Sequence, residues 1–216
     1  MRIGLTGGIA AGKSTVAARM KEDGAHVIDY DALAREVVKP HAPALERIAQ
    51  EFGPDALNAD GTLDRAWLAR HVFATDADPH ALERLNAIEH PYIYRAAEEQ
   101  ERQFLREYEQ CANGRDKARQ LVVVHDIPLL ADVFNTIPFH FDHIVTVEAD
   151  EATRVRRMME TRAMSEQQAL DRIAHQASDQ RRRAISDTLI DASQPMDAML
   201  KQVDRIMAPW LGRQTD

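Results

Sequence analysis

The chain has 216 residues, 44% apolar and 29% charged, with a formal net charge of −8. That length accommodates one α/β domain with a substantial core and a subdomain, and the acidic balance disfavours nonspecific binding to nucleic acid. The single cysteine, Cys111, excludes an intrachain disulfide framework and a multi-cysteine zinc site; it reads as an inert thiol near a surface loop. No stretch approaches the roughly 18 apolar residues of a membrane helix, and Met1 leads directly into a strand, so neither a span nor a signal peptide is expected and the expected compartment is the cytoplasm.

Ile3 to Leu5 supply a short apolar strand, and Gly7, Gly12, Lys13 and Ser14 then satisfy the phosphate-loop pattern G-x-x-x-x-G-K-[ST]. A phosphate chain is polyanionic, so cradling it needs backbone N–H groups turned inward, which glycines permit. Gly8, Ala10, Ala11, Gly12, Lys13, Ser14 and Thr15 are the expected nucleotide-binding set. Lys13 adds a point charge for the outer phosphates, and Ser14 offers a hydroxyl to Mg²⁺. The run from Val16 to Glu22 is a good helix former, and its positive end faces the same spot.

Gly24 stops that helix, and His26–Asp29 reads as the second strand, with Asp31 two residues beyond its end. Ligands of open parallel sheets collect at the carboxyl ends of strands. Asp29 and Asp31 would share a face of an extended chain, Asp29 as an acceptor-side contact and Asp31 as the group that takes or orients a hydroxyl proton. Asp31 could equally cap a helix over Ala32–Val38, although Ala34 lacks the carboxylate or amide of a capping box.

Lys39-Pro-His-Ala-Pro43 is a breaker cluster. Beyond it Ala44 to Phe52 is helical, Asn58 to Gly61 a turn, and residues 64 to 110 almost wholly helical. Trp67, Leu68, Val72 and Phe73 form one apolar stripe, and Leu82, Leu85 and Ile88 the next. Trp67 and Phe73 read as core rather than as a base-stacking platform. Pro91 suits a first helical position, which leaves His90 either as the residue before a helix or as a polar group facing a ligand. This helical insert, read over 60–112 within a single domain spanning 1–216, suits an acceptor-side subdomain. Asn113–Gln120 is polar loop.

Leu121–Asp126 is a continuous β-branched strand of the kind covered on both faces. It ends in Asp126, where a second ligand for Mg²⁺ or its water shell would sit. His143–Val147 is the next strand. Glu151–Arg162 is a basic helix, and Ser165-Glu-Gln-Gln168 is a capping box for the one that follows. Arginines present a planar fork of donors to phosphate oxygens; Arg157, Arg162, Arg172 and the run Arg181-Arg-Arg183 lie within a lid over 154–183, of which Arg157 and Arg162 are the named phosphate candidates, and the lid would also exclude water. Thr188–Asp191 is the last strand, and Pro195–Leu211 a closing helix.

With those residues in place, the chain resembles the dephospho-coenzyme A kinases, nearly end to end. The resemblance rests on Thr6–Thr15, Val27–Arg35, Leu63-Asp64-Arg65, His90-Pro91, Asp126–Leu130, and Ser165, Ala169, Arg172-Ile173 and Gln176. It implies a P-loop kinase core, with a five-stranded parallel sheet and helices on both faces, plus a helical acceptor-binding insert and a lid. It also implies ATP with Mg²⁺ as donor and the ribose 3′-hydroxyl of dephospho-coenzyme A as acceptor, Asp31 and Lys13 as catalytic groups, and Arg65 and His90 on the acceptor side. A monomer without nucleic-acid or membrane partners is expected. Two departures stand out. Where the family often carries Arg-x-Gly-Leu, this chain has Thr161-Arg-Ala-Met164, and where it often reads Ile-Asp-Asn, this chain has Ile190-Asp-Ala192. The competing readings are another small-molecule P-loop kinase, acting on a nucleoside monophosphate, shikimate or a sugar acid, and a nucleotide switch. The chain has no Asn-Lys-x-Asp for guanine.

Overall fold

The short apolar runs pair into one five-stranded sheet in which every pairing is parallel. Its strands are β1 (Arg2–Gly7), β2 (His26–Asp29), β3 (Val123–Asp126), β4 (His143–Glu148) and β5 (Thr188–Asp191), in the order β2-β3-β1-β4-β5. The computed structural model describes residues 1–74, 77–112 and 120–213, with the backbone alone for Cys111 and Ala112. The loop read over Asn113–Gln120, apart from Gln120, and the surroundings of the Cys111 thiol lie outside the described residues.

Ten helices among the described residues accompany the strands: α1 (Lys13–Glu22), α2 (Tyr30–Glu36), α3 (Pro43–Phe52), α4 (Arg65–Phe73), α5 (Ala81–Ala112), α6 (Leu130–Val133), α7 (Glu151–Arg162), α8 (Glu166–Ala174), α9 (Asp179–Ala184) and α10 (Met196–Trp210). By contact the chain forms two units, Met1–Asp29 with Glu101–Asp216, and Tyr30–Gln100.

In the first unit, side-chain alternation assigns the two faces of the sheet. Ile3, Leu5, Val124, Val145, Val147 and Ile190 are buried with Val16 and Met20 of α1 and Met199, Val203 and Met207 of α10. Gly4 lies on the opposite face, where a Cβ would come within 3.1 Å of Leu130 in α6 and 3.2 Å of Phe141. On that face too, Thr6 Oγ1 donates to Pro128 O (3.3 Å). Both faces are covered, in keeping with the continuous apolar run Leu121–Val124 that leads through the start of β3.

The second unit has its own core, in which Leu45 and Ile48 of α3, Leu68 and Val72 of α4, and Leu85 and Ile88 of α5 are buried. Between α3 and α4 the chain reverses at Asn58–Gly61, where Gly61 N donates to Asn58 O (2.9 Å). Asp64 caps α4, its Oδ1 accepting from Trp67 N (2.8 Å).

Four expectations are corrected. The helix break at Pro91 does not occur, and α5 runs through it. Leu85 and Ile88 before the proline are buried, half-buried Tyr92 continues their stripe after it, and Ile93 and Ala97 are buried on an adjoining face, so packing on both sides of Pro91 offsets the lost backbone bond. Phe73 is 68% exposed: it follows Val72 by one residue, a rotation of about 100° away from the buried Leu68–Val72 stripe. Leu82, likewise read into a stripe, is 39% exposed. Asp31 lies inside the first turn of α2 rather than at its cap, because the helix begins at Tyr30, directly after the strand.

Two predictions follow from this packing. His125, in register with Gly4, is fully buried, with Phe139 and Phe141 at ring distances of 5.3 and 5.7 Å. Burial, reinforced by the Arg2 charge, pushes its pKa down to about 3. The folded protein therefore keeps this imidazole neutral while the unfolded chain protonates it below about pH 6.5, so stability falls as pH drops from there toward the folded value. In His125→Met the curve of unfolding free energy against pH should be flatter between about pH 6 and pH 4, by roughly 1 kcal/mol per pH unit; an unchanged slope contradicts the assignment. The second concerns Ala163, which closes α7 in the left-handed region (φ +51°, ψ +34°), where the family's glycine would be unstrained. Ala163→Gly should stabilise the protein by about 0.5–1 kcal/mol, read from the denaturant midpoint, and a lower midpoint would count against strain there.

Candidate active site

β1 lies at the centre of the sheet, between β3 and β4, so the loop leaving its carboxyl end opens over the middle of that edge, the position where open α/β sheets bind ligands. Gly7 makes this exit possible. A Cβ there would lie 2.5 Å from Val147 O, closer than any side chain could approach. The chain then curls. Ala11 N donates to Gly8 O (3.0 Å), Ala10 adopts φ +58° and Gly12 φ +105°, and Thr15 N and Val16 N both donate to Gly12 O at 3.0 and 3.2 Å. α1 starts at Lys13 with no side chain capping it and no acidic residue in its first turn. Its opening amides and dipole are thus left for an anion.

Turning amides inward turns carbonyls outward, and Arg157 of α7 receives them. Its Nη1 donates to Ala10 O (3.2 Å) and Ala11 O (2.9 Å), and its Nη2 to Ala192 O (2.7 Å). Ile9 N is taken by the Gln176 side-chain oxygen at 2.7 Å. Ile9 and Ala10 also pack against Val155, Met158 and Ala169, the small core shared by α7 and α8.

The charges at this edge are paired. Lys13 Nζ forms a short ion pair with Asp126 Oδ1, both side chains being largely buried. Asp126 and Asp29 are opposite each other in register on β3 and β2, and Leu5 is opposite Asp126 on β1, so both carboxylates are on the α1 face of the sheet tips. Ser14 is exposed in the first turn of α1. Among the described residues no group of three or more His, Cys, Asp or Glu side chains could hold a metal ion unaided.

Two further arginines converge on the loop. Arg154 and Arg182 are 2% and 4% exposed. A Cβ on Gly8 would be 2.5 Å from Arg154 Nη1 and 3.2 Å from Arg182 Nη2. Asp179 Oδ1 accepts from Arg154 Nη2 (3.3 Å) and, in a short contact, from Arg182 Nη2. Glu148, buried at the tip of β4, accepts from Arg183 Nε (2.6 Å) and faces Arg182 Nε at 3.9 Å. Arg154 is not among the sequence candidates, and Arg182 is one only as a member of the run Arg181-Arg-Arg183. Arg154 was legible as a charge on the buried stripe of α7, four residues before fully buried Met158; in the run Arg181-Arg-Arg183 no local signal distinguishes the middle residue. Arg162, by contrast, is exposed at the end of α7.

Asp31, Arg65 and His90 belong to the second unit. Asp31 and Arg65 are exposed in the first turns of α2 and α4. Arg65 is near enough to Glu89 to oppose the upward pull that burial exerts on that carboxyl. His90, half-buried with its ring 5.6 Å from Tyr94, has its pKa lowered by burial.

Comparison with known proteins agrees with this arrangement. A family model described as dephospho-CoA kinase (CoaE) matches residues 1–197. A dephospho-CoA kinase of Bifidobacterium longum is 56% identical over 210 residues, covering 97% of this chain and 96% of the relative. One from Leifsonia xyli is 43% identical over 206 residues, covering 95% and 96%. Among solved structures, TT1252 from Thermus thermophilus superposes with a TM-score of 0.74 at 29% identity, covering 98% of both chains. A dephospho-CoA kinase from Campylobacter jejuni shares the fold, with a TM-score of 0.58 at 20% identity over 97% of both chains. A phosphate loop curled at the centre of a parallel sheet, a lysine and carboxylates at its edge, and a match across nine-tenths of the sequence place this chain in the dephospho-CoA kinase family.

Proposed function

We infer that the chain transfers the γ-phosphoryl group of ATP to the ribose 3′-hydroxyl of dephospho-coenzyme A, giving coenzyme A and ADP. The hydroxyl oxygen forms a bond to the γ-phosphorus, the bond to the β,γ-bridging oxygen breaks, and the hydroxyl proton leaves to a base or to solvent. The observation that carries this reading is the loop itself: two left-handed residues, Ala10 and Gly12, turn the backbone so that the opening amides of α1 and Lys13 face one spot. The family match supports the choice of acceptor.

In this reading the loop holds the phosphates at Gly8, Ala10, Ala11, Gly12, Lys13, Ser14 and Thr15, while the Ile9 amide stays with Gln176. Lys13 exchanges part of its pairing with Asp126 for the γ-phosphoryl oxygens, on which charge accumulates in the transition state. The oxygens of Ser14 and Asp126 suit a hard cation that takes few protein ligands and would hold Mg²⁺, which would supply charge neutralisation to the phosphates. Arg157, whose donors are engaged by loop carbonyls, contributes by fixing the loop's curl, and Arg162 is a contact of the 154–183 lid. Asp31 accepts or orients the hydroxyl proton, and Asp29, Arg65 and His90 serve the acceptor side. With its pKa lowered by burial, His90 acts near neutral pH as an uncharged hydrogen-bonding group. We place this activity in a cytoplasmic monomer. No helix among the described residues is long and apolar enough to cross a membrane.

The test is ADP release across a panel of acceptors, with turnover expected for dephospho-coenzyme A and not for shikimate, gluconate or nucleoside monophosphates. Slow hydrolysis indifferent to every acceptor would indicate a switch instead. Lys13→Ala should lower turnover at least about 100-fold with the fold intact by circular dichroism, and near-normal turnover would refute the loop's role. Asp31→Asn should lower kcat by about 10²- to 10⁴-fold while ATP binding, followed by calorimetry, stays within a few-fold. An equal loss of both would make Asp31 a metal or structural residue.

A further inference from the structure

No residue of the turn after β5 enters the chemistry proposed for the site, yet that turn is tied to the phosphate loop at one remove. β5 is an edge strand, and Gln202 of α10 stands in for the missing neighbour at its end. Asp191 N donates to Gln202 Oε1 (3.0 Å), and Gln202 Nε2 donates to Asp191 O (3.1 Å). The exposed Asp191 side chain then folds the chain back, its Oδ1 accepting from Ser193 N (2.9 Å) and its Oδ2 from Gln194 Nε2 (3.0 Å). Inside this turn Ala192 is fully buried. Its N donates to Glu148 O (2.7 Å), and its O accepts from the Arg157 guanidinium that also holds Ala10 O and Ala11 O. A Cβ on Gly12 would lie 3.8 Å from Ala192 Cβ and 3.7 Å from Arg157 Nη1. Ser193 Oγ accepts from Asp150 N (3.0 Å), and Asp150 caps α7, so the turn also fixes the start of the helix that carries Arg157.

We propose that Asp191 is a positioning residue for phosphoryl transfer: by shaping the turn over 192–194 it sets Ala192 O, and through Arg157 the curl of the phosphate loop. The proposal rests on the reading of the loop as the nucleotide site. A guanidinium is a rigid planar fork, so Arg157 cannot follow a displaced Ala192 O and keep Ala10 O and Ala11 O in line. Ala192 has no polar side chain with which to hold the turn, at the place where the family often carries asparagine. The carboxylate before it, with two acceptor oxygens, supplies both bonds. Because Gln202 holds the strand end separately, loss of the Asp191 side chain moves the turn and not the sheet.

The test is ATP binding to the full chain by titration calorimetry, with kcat, both KM values and the thermal midpoint measured alongside. Asp191→Ala should bind ATP about 3- to 10-fold more weakly, the scale of one or two hydrogen bonds to a charged group, with the KM for dephospho-coenzyme A unchanged. Asp191→Asn should recover most of that loss, because its Oδ1 still accepts from Ser193 N. Arg157→Met alone should lose at least as much, and adding Asp191→Ala to it should weaken binding no further, since both act on one contact. Unchanged ATP affinity in Asp191→Ala or in Arg157→Met overturns the proposal; a lowered midpoint beside it would mark a structural residue. Losses that add in the double variant, or an equal loss in Asp191→Asn and Asp191→Ala, overturn it too. Lys13→Met separates this failure from that of the underlying reading. If Lys13→Met is crippled while Asp191→Ala is silent, only the positioning role is wrong; if both bind and turn over ATP normally, the loop is not the nucleotide site.

Discussion

A loop that presents its amides to a ligand must point its carbonyls the other way, and a carbonyl facing protein needs a donor. Arg157 meets that demand, joining Ala10 O and Ala11 O to Ala192 O beyond β5. The concavity of the loop is therefore not a property of its glycines alone. Gly12 permits the turn, Gly7 lets the strand pass Val147 O, and a guanidinium from a helix more than 140 positions along the chain holds the result. Removing any one of the three leaves the other two without purpose.

The whole chain carries a net charge of −8, yet the loop is ringed by Lys13, Arg154, Arg157 and Arg182. Three carboxylates moderate them: Asp126 on Lys13, Asp179 on both buried arginines, and Glu148 beside Arg182 and Arg183. These pairings keep the cations where an anion can use them.

Much of this was legible in the residues. The phosphate loop, both flanking elements and β2 and β5 stand where alternation and glycine placement put them, and the capping box at Ser165 has both its bonds. What escaped was decided by tertiary contact. Pro91 carries a local stop signal that burial of the helix on both sides of it overrides. Phe73 has the composition of a core residue but the wrong angular position. Arg157 carries the composition of a phosphate ligand, but its donors go to loop carbonyls, which only the folded chain brings within reach. Arg154 and Arg182 sit in charge-rich runs that resemble a solvated helix face, and only their burial distinguishes them from Arg156, Arg162 and Arg181.

The small core of Val155, Met158 and Ala169 includes Ile9 and Ala10 from the loop itself, and Gln176 holds the amide between them and the strand. Displacing α7 and α8 from the loop would thus expose Ile9 to water and strip its amide of its acceptor. Warming or mild denaturants that loosen this contact, about one side chain wide, should therefore disturb the loop before they touch the sheet.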